Sequence, residues 1–337
     1  MTTRIPPACL GVALLCAVCA LALPPAGAGA ATVSAELRVL TPDRVLEAGT
    51  TYFFDGSVTV PTTPEADCLG PPGGSGAEYS YDDRNALSLL ATAARASRKL
   101  RPLALSDQFG FSLLVCGIDG AEASSGETFW YLKANHEEAS VGADQLTVHD
   151  GDEVLFYLAS DNFPAPNPEE LELIAPARAK TGSSFSVQVL EHACTTDQTT
   201  FEITCQTQPA AGATVGGAIT GADGTAQITA GSGDKLKLTA TRGAAIPSEK
   251  VPVCVAAALD ECPPVHGERL VGSRDGDRIK GTRGDDAIRG RGGDDKIDLR
   301  KGGSDELDCG PGRDTVRLKR SDRSDSIARD CERVRRR

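Results

Sequence analysis

Between Gly272 and Asp325, an aspartate followed two residues later by an aliphatic side chain recurs at a nearly constant interval. The pairs are Asp277/Ile279, Asp286/Ile288, Asp295/Ile297, Asp305/Leu307 and Asp314/Val316, spaced by 9, 9, 10 and 9 residues. A looser Asp325/Ile327 follows after 11 residues. Such short repeats read as stacked units, each a very short strand whose aliphatic side chain is buried on its neighbour. Glycines punctuate the units at Gly281, Gly284, Gly290, Gly293, Gly303, Gly310 and Gly312, as expected of tight turns that use left-handed backbone angles. Each aspartate adds a hard anionic oxygen, and clusters of hard oxygens suit Ca²⁺.

The units GTRGDDAIR (Gly281 to Arg289) and GRGGDDKID (Gly290 to Asp298) resemble the calcium-binding nonapeptide of repeats-in-toxin (hemolysin-type) proteins, G-G-x-G-x-D-x-U-x with U aliphatic. The resemblance covers roughly the last fifth of the chain. It implies a parallel β-roll with two nonapeptides per coil and calcium between turns two repeats apart. Asp277 would then pair with Asp295, Asp286 with Asp305, and Asp295 with Asp314. The implied metal positions are Asp277, Gly281, Gly284, Asp286, Gly290, Gly293, Asp295, Gly303, Asp305, Gly312 and Asp314. The pattern is not kept throughout. Asp275 stands where the first unit wants a glycine, Leu299 is an extra residue, Cys309 replaces a glycine, and Arg or Lys fills many free positions. The same residues also fit a short solenoid held by Asp–Arg pairs with little or no metal.

Export is expected from the other end of the chain. Residues 1–31 read as a secretory signal peptide: Arg4, the apolar run CLGVALLCAVCALAL, then small-residue cleavage sites in AGAGAA. No second long apolar run follows, so no membrane span is expected in the mature chain. Losing Cys9, Cys16 and Cys19 with the signal leaves eight cysteines, an even number suited to an oxidising compartment. Pairing sequence neighbours gives Cys68–Cys116, Cys194–Cys205, Cys254–Cys262 and Cys309–Cys331, one of 105 possibilities. From Gly267 onward the net charge is +4, against −16 before it. Interleaved signs in a solvated repeat surface account for this, and a nucleic-acid partner is not expected.

The first domain is expected over 32–160 as a small α+β unit. Val33, Ala35, Leu37 and Val39 alternate as in a half-buried strand, and TYFFDGSVTV (Thr51 to Val60) reads as a second. A helix capped by Ser80 or Asp82 would present Ala86, Leu89, Leu90, Ala93 and Ala94 on one face. DQLTVHDGDEVLFYLA reads as a hairpin turning at Asp150-Gly151. The order of a cysteine before a helix, W-Y-x-x-x-N, VGADQ and D-G-D-E-V-L-F-Y resembles the transcobalamin-like C-terminal domain family. That implies an exported module and leaves open a flat ligand stacked on Trp130 and Tyr131. The residues themselves favour core positions for both aromatics, and surface positions for His136 and His149.

Residues 161–170 form a Pro-rich linker, with Glu169-Glu170 taken as solvated. Short alternating runs over 171–256, separated by turns such as Asp223-Gly224 and Gly231-Ser232-Gly233-Asp234, read as a β-sandwich. The stretch PAAGATVGGAITGADGTAQITAGSGDKLKLTATRG is similar to bacterial immunoglobulin-like surface domains, implying a spacer. A second linker (257–266) leads into the repeats at 267–337, which end in a cap. The cap is expected to be the Cys309–Cys331 disulfide folding the tail back, with Ile327 and Val334 covering the last coil.

No G-x-S-x-G, H-E-x-x-H or Walker-type loop is present, and the four histidines lie far apart in sequence. The expectation is therefore a multidomain, mainly β, secreted and non-enzymatic bacterial protein that binds calcium and an extracellular or cell-surface partner in adhesion. The partner could be a protein, a glycan or a small molecule. Two alternatives stand beside it: a carrier of a corrinoid-like small molecule through the first domain, and an accessory module of an exported enzyme.

Overall fold

A computed structural model describes residues 32–336 apart from 67, 161–164, 233–234 and 322–323. The expected leader, part of the first linker and the Gly233-Asp234 half of an expected turn lie outside these residues. The chain is mainly β, with several sheets and, among the described residues, one α-helix. No described helix is long and apolar enough to cross a membrane.

The first strand, Val33–Leu40, buries its alternate residues Val33, Ala35, Leu37 and Val39. It pairs antiparallel with Val45–Phe54 and parallel with Glu153–Ser160, which in turn pairs antiparallel with Thr128–Ala134. The expected hairpin at Asp150-Gly151 is not formed. The first strand occupies the flank of Glu153–Ser160, and Thr147 bridges Asn85 instead. The Asp150 turn serves another purpose, since its carboxylate accepts bonds from the Ser34 backbone N–H (2.9 Å) and hydroxyl (2.7 Å). The expected single strand through TYFFDGSVTV is two strands, Val45–Phe54 and Val58–Pro61. They part at Gly56, whose φ of +94° and close approach to the Asp83 backbone exclude a side chain.

The helix Ala86–Ala96 is capped neither by Ser80 nor by Asp82. Asn85 accepts from the Ser88 N–H at 2.8 Å while Ser88 Oγ accepts from the Asn85 N–H at 3.0 Å, a capping box with serine at its third position. Leu87, Leu89, Leu90 and Ala93 are fully buried against the sheet.

The middle region has an apolar core of its own, centred on Leu171, Val187, Val189, Ile228, Leu238 and Val253. Ser184–Thr196 is its longest strand and pairs with Glu170–Ile174, Ile203–Pro209 and Thr225–Thr229. A second sheet joins Arg178–Lys180, Val251–Ala256 and Lys235–Leu238. At the Asp223-Gly224 turn, Asp223 accepts from the Thr225 N–H at 3.0 Å. The segment expected as a linker at 257–266 carries a 3₁₀ turn, Leu259–Glu261, tied back by Cys254–Cys262. Among the described residues, four disulfides close the chain: Cys68–Cys116, Cys194–Cys205, Cys254–Cys262 and Cys309–Cys331.

The repeats form a parallel roll with two alternating ladders. One runs Arg269–Val271, Ala287–Arg289, Glu306–Asp308 and Ser326–Ile327. The other runs Arg278–Lys280, Lys296–Asp298, Thr315–Leu318 and Arg333–Arg336. The six strands from Arg269–Val271 to Thr315–Leu318 each point an aliphatic side chain inward, so Leu270, Ile279, Ile288, Ile297, Leu307 and Val316 stack in one core. The first ladder continues the sheet of the N-terminal region, because Thr51 and Tyr52 pair in parallel with Leu270 and Val271. The result is a nine-stranded sheet, with Phe53 packed on the core of the roll. Leu299, the extra residue, lies fully buried beside Cys309 and Leu318. The insertion is thus turned into filling: the tail does return over the last coil, but Val334 is 42% exposed and only Ile327 packs against the core.

Candidate metal centre

Along each edge of the roll the repeat acids form a file. In one, the backbone N–H of Asp277 donates to Asp295 Oδ1 (2.8 Å), that of Asp295 to Asp314 Oδ1 (2.9 Å), and that of Asp314 to Glu332 Oε2 (2.9 Å). In the other, Glu268 donates to Asp286 Oδ1 (2.8 Å), Asp286 to Asp305 Oδ1 (3.0 Å), and Asp305 to Asp325 Oδ1 (3.2 Å). Each acid after the first in its file therefore closes the turn of the coil before its own. Asp277, Asp286, Asp295, Asp305 and Asp314 are at most 2% exposed.

Their second oxygens are less well served. Asp277 Oδ1, Asp295 Oδ2 and Asp314 Oδ2 are buried without a hydrogen-bond donor. A buried charge is tolerated only when it is compensated, so such a carboxylate draws a proton or a cation. Burial, and then the charges of Asp277 and Asp314, push Asp295 up to about 7. Burial likewise raises Asp277 and Asp314 above the ordinary carboxylate range. Among the described residues, no Lys or Arg lies within ion-pair distance of Asp277, Asp286, Asp295 or Asp314. The Asp–Arg pairing considered from the sequence is thus not what holds these four. Backbone amides do.

The glycines keep their predicted places for a different reason than the expected one. Among the six metal-position glycines only Gly293 and Gly303 have left-handed φ values, +95° and +114°. At Gly284, Gly290 and Gly312 the limit is space, since a Cβ would strike the backbone of Gly267, Cys309 and Gly293 in the adjoining turn. At Gly281 it would meet the Asp286 carboxylate and Leu299. An all-oxygen set of buried, incompletely compensated carboxylates fits a hard cation such as Ca²⁺.

Two further units escape a search for aspartate. Glu268/Leu270 opens the first ladder and Glu332/Val334 closes the second, each with glutamate in the acid position. A search for acid-x-aliphatic triplets would have found both.

The sequence also leaves unconnected a buried cluster of charge where the first sheet meets the middle region. Glu170, expected in solvent, is 1% exposed. Its carboxylate contacts Arg38 Nη1 at 2.6 Å, His136 Nδ1 at 3.2 Å and Lys133 Nζ at 3.7 Å. Burial alone would raise Glu170, but the bond from His136 and the charges of Arg38 and Lys133 hold it down to about 2. His136 is not a bare surface residue. Asn135 and His136 form the two-residue turn between Thr128–Ala134 and Glu137–Glu138, with φ of 51° and 69° as a type I′ turn demands. This turn lays the His136 ring on that of His192, centroids 4.0 Å apart and planes within 8°. His192 Nε2 lies 2.9 Å from Glu172 and its Nδ1 lies 2.9 Å from Thr207 Oγ1. Of the two histidines expected at the surface, His149 is there, largely exposed beside Asp152.

Trp130 is a core residue, 6% exposed, with its indole N–H donating to the Ala121 carbonyl at 3.2 Å. Tyr131 stacks on Tyr157 at 5.5 Å. Exposed aromatics lie elsewhere: Phe201 is 66% exposed, and Phe109 and Phe111, 48% and 72% exposed, stack at 5.4 Å. Their loop is held at both ends, by Asp107 bonding Ser75 and Tyr79, and by Asp144 bonding Ser112 and the Leu113 N–H.

Residues 104–160 match the family model described as a domain of unknown function (DUF4430), a family associated with transcobalamin-like domains. The matched stretch takes in the Phe109–Phe111 loop, Trp130 and the His136 turn. No curated protein and no solved structure matches the chain.

Proposed function

We propose that the chain is an exported, non-enzymatic binding protein whose C-terminal roll is a calcium-stabilised scaffold. The observation that carries this reading is the file Asp277–Asp295–Asp314, with one buried and donor-less carboxylate oxygen on each member. Calcium bound there would compensate the charge of that file, and the acids on the opposite edge offer a second set. Asp277, Asp295 and Asp314 would hold the ion on one edge, and Asp286 and Asp305 on the other. Four disulfides support an oxidising, extracellular location.

The test is a calorimetric Ca²⁺ titration of the purified chain, read alongside circular dichroism. Extracellular modules bind calcium at ~10⁻⁴–10⁻³ M, and heat and a gain of β-signal are expected in that range. Identical spectra and melting curves with calcium and with chelator would overturn the calcium reading.

A second reading, an extracellular carrier of a flat small molecule, rests on the anchored and exposed Phe109–Phe111 stack. Two rigid aromatic faces on a loop suit stacking on a ligand as well as on a macromolecular partner. A change in the visible spectrum of cobalamin on adding the chain would favour the carrier. Signal on a glycan array, lost in Phe109→Ser/Phe111→Ser, would favour the adhesin.

A further inference from the structure

We propose that His136, His192 and Glu172 form a site for a divalent transition ion of the zinc class, clamping the first sheet to the middle region. Among the described residues these three bring one ligand atom each to within 4.8 Å of one another. The chemistry differs from that of the roll. Two imidazoles and one carboxylate suit Zn²⁺ and its neighbours, whereas Ca²⁺ takes oxygens.

The strongest argument is what the other nitrogens do. A metal-binding imidazole commonly has its second ring nitrogen fixed by a carboxylate or another oxygen, which sets the tautomer and aims the free nitrogen. Both rings are fixed in that way here. His136 Nδ1 faces Glu170 Oε1 at 3.2 Å, and Glu170 is itself locked by Arg38 at 2.6 Å. His192 Nδ1 faces Thr207 Oγ1 at 2.9 Å. With both δ nitrogens committed, the two ε nitrogens remain as ligands. His192 Nε2 already lies 2.9 Å from Glu172 Oε2, and His136 Nε2 lies 3.4 Å from Glu153 Oε2. Glu153 lies beside His136 but outside the group of three. Because the rings lie face to face, ligation of one ion requires one of them to tilt out of the stack.

The placement gives the ion a structural role. His136 sits in the turn after Thr128–Ala134, on the first sheet, whereas Glu172 and His192 lie on adjacent strands of the middle region. One ion would therefore join elements that no disulfide links, since Cys194–Cys205 closes only a hairpin within the middle region. The entrance is open, because the side chains of His136 and Glu172 are 24% and 36% exposed.

The experiment is a titration of the whole chain, already saturated with Ca²⁺, with Zn²⁺ by calorimetry and with Co²⁺ by visible absorption. One equivalent of each is expected, with Co²⁺ giving the d–d bands of a low-coordinate nitrogen–oxygen site. Glu172→Gln and His192→Ala should each weaken binding at least tenfold, Thr207→Val should weaken it ~10-fold through the lost orienting bond, and His149→Ala should change nothing. If His192→Ala melts well below the parent chain without metal, Glu172→Gln decides, because the amide keeps a hydrogen bond to His192. Absence of a Co²⁺ band, or Zn²⁺ binding undiminished in Glu172→Gln, overturns the proposal. The Ca²⁺ titration of the roll is independent of either result.

Discussion

The backbone N–H of Asp277 donates to the carboxylate of Asp295 at 2.8 Å, while the other oxygen of that carboxylate is buried with no donor at all. One side chain is thus half satisfied by the coil that precedes it and half left for something else. On the proposal that calcium fills that gap, the stability of the roll should depend on pH and on cations.

Without calcium, stability should fall as the pH rises. The folded Asp295 carboxyl titrates near 7, raised from 3.8, so between those limits the native state holds a proton that the unfolded chain has lost. By linkage, stability declines across that window. Each tenfold difference in proton affinity between the two states is worth ~1.4 kcal/mol, an upper bound for a group that can relax. Melting in chelator at pH 5 and pH 8 should show the lower midpoint at pH 8, and Asp295→Asn should flatten the difference. A rise in midpoint with pH would refute the assignment.

Glu170 should behave in the opposite sense. Its carboxyl is held down to about 2 in the folded chain by His136, Arg38 and Lys133, so its contribution is present above the ordinary carboxylate range and lost as the pH falls toward 2. Glu170→Ala would leave Arg38 without its closest buried partner and Lys133 with only the Glu138 carboxylate 4.0 Å away. Breaking a buried pair in that way costs about 3–5 kcal/mol. Urea denaturation at pH 7 measures it.

The Cys309–Cys331 bond closes a separation of 22 residues onto the last coil. Cys309→Ala/Cys331→Ala should lose ~3 kcal/mol in the chain-entropy account. The loss should be confined to the roll, which hydrogen exchange of residues 267–336 would register as faster exchange in the final coils.

Leu299→Ala should cost about 2–5 kcal/mol, the range for a truncated core leucine, because Leu299 is fully buried among the side chains of the roll. Were Leu299 a bulge at the surface, as an insertion into a nine-residue period suggests, thermal melting would register almost no change.

What was readable in the sequence follows from where the information lies. Asp277 to Val316 could be read because each unit repeats the same local problem, one acid for a turn and one aliphatic for a core. Glu268 and Glu332 do the same work with a longer side chain and drop out of an aspartate count. The helix face was readable from its periodicity, but its cap was not, since Asn85 competes with Ser80 and Asp82 on equal chemical terms, and only the pairing of strand Glu78–Tyr81 removes Ser80. His136 and His192 could not be connected from local pattern. They meet because a type I′ turn on one sheet reaches strands of another, and no local period reports on such a meeting. The local hints were Asn135-His136 at a turn and the Glu170/Glu172 alternation, which places both acids on one face of a strand.

The pairing of Thr51 and Tyr52 with Leu270 and Val271 joins segments more than two hundred residues apart. In wiring, the middle region is therefore a guest threaded between two parts of a single host sheet. Such a junction closes late, because its loop-closure entropy is large and is recovered only once both sides are built. A chain released before the roll has formed would display Thr51 and Tyr52 as an unpaired sheet margin with Phe53 uncovered. That margin is a template for pairing with another copy. Cutting the chain after the middle region should accordingly yield not a smaller soluble protein but a sticky one.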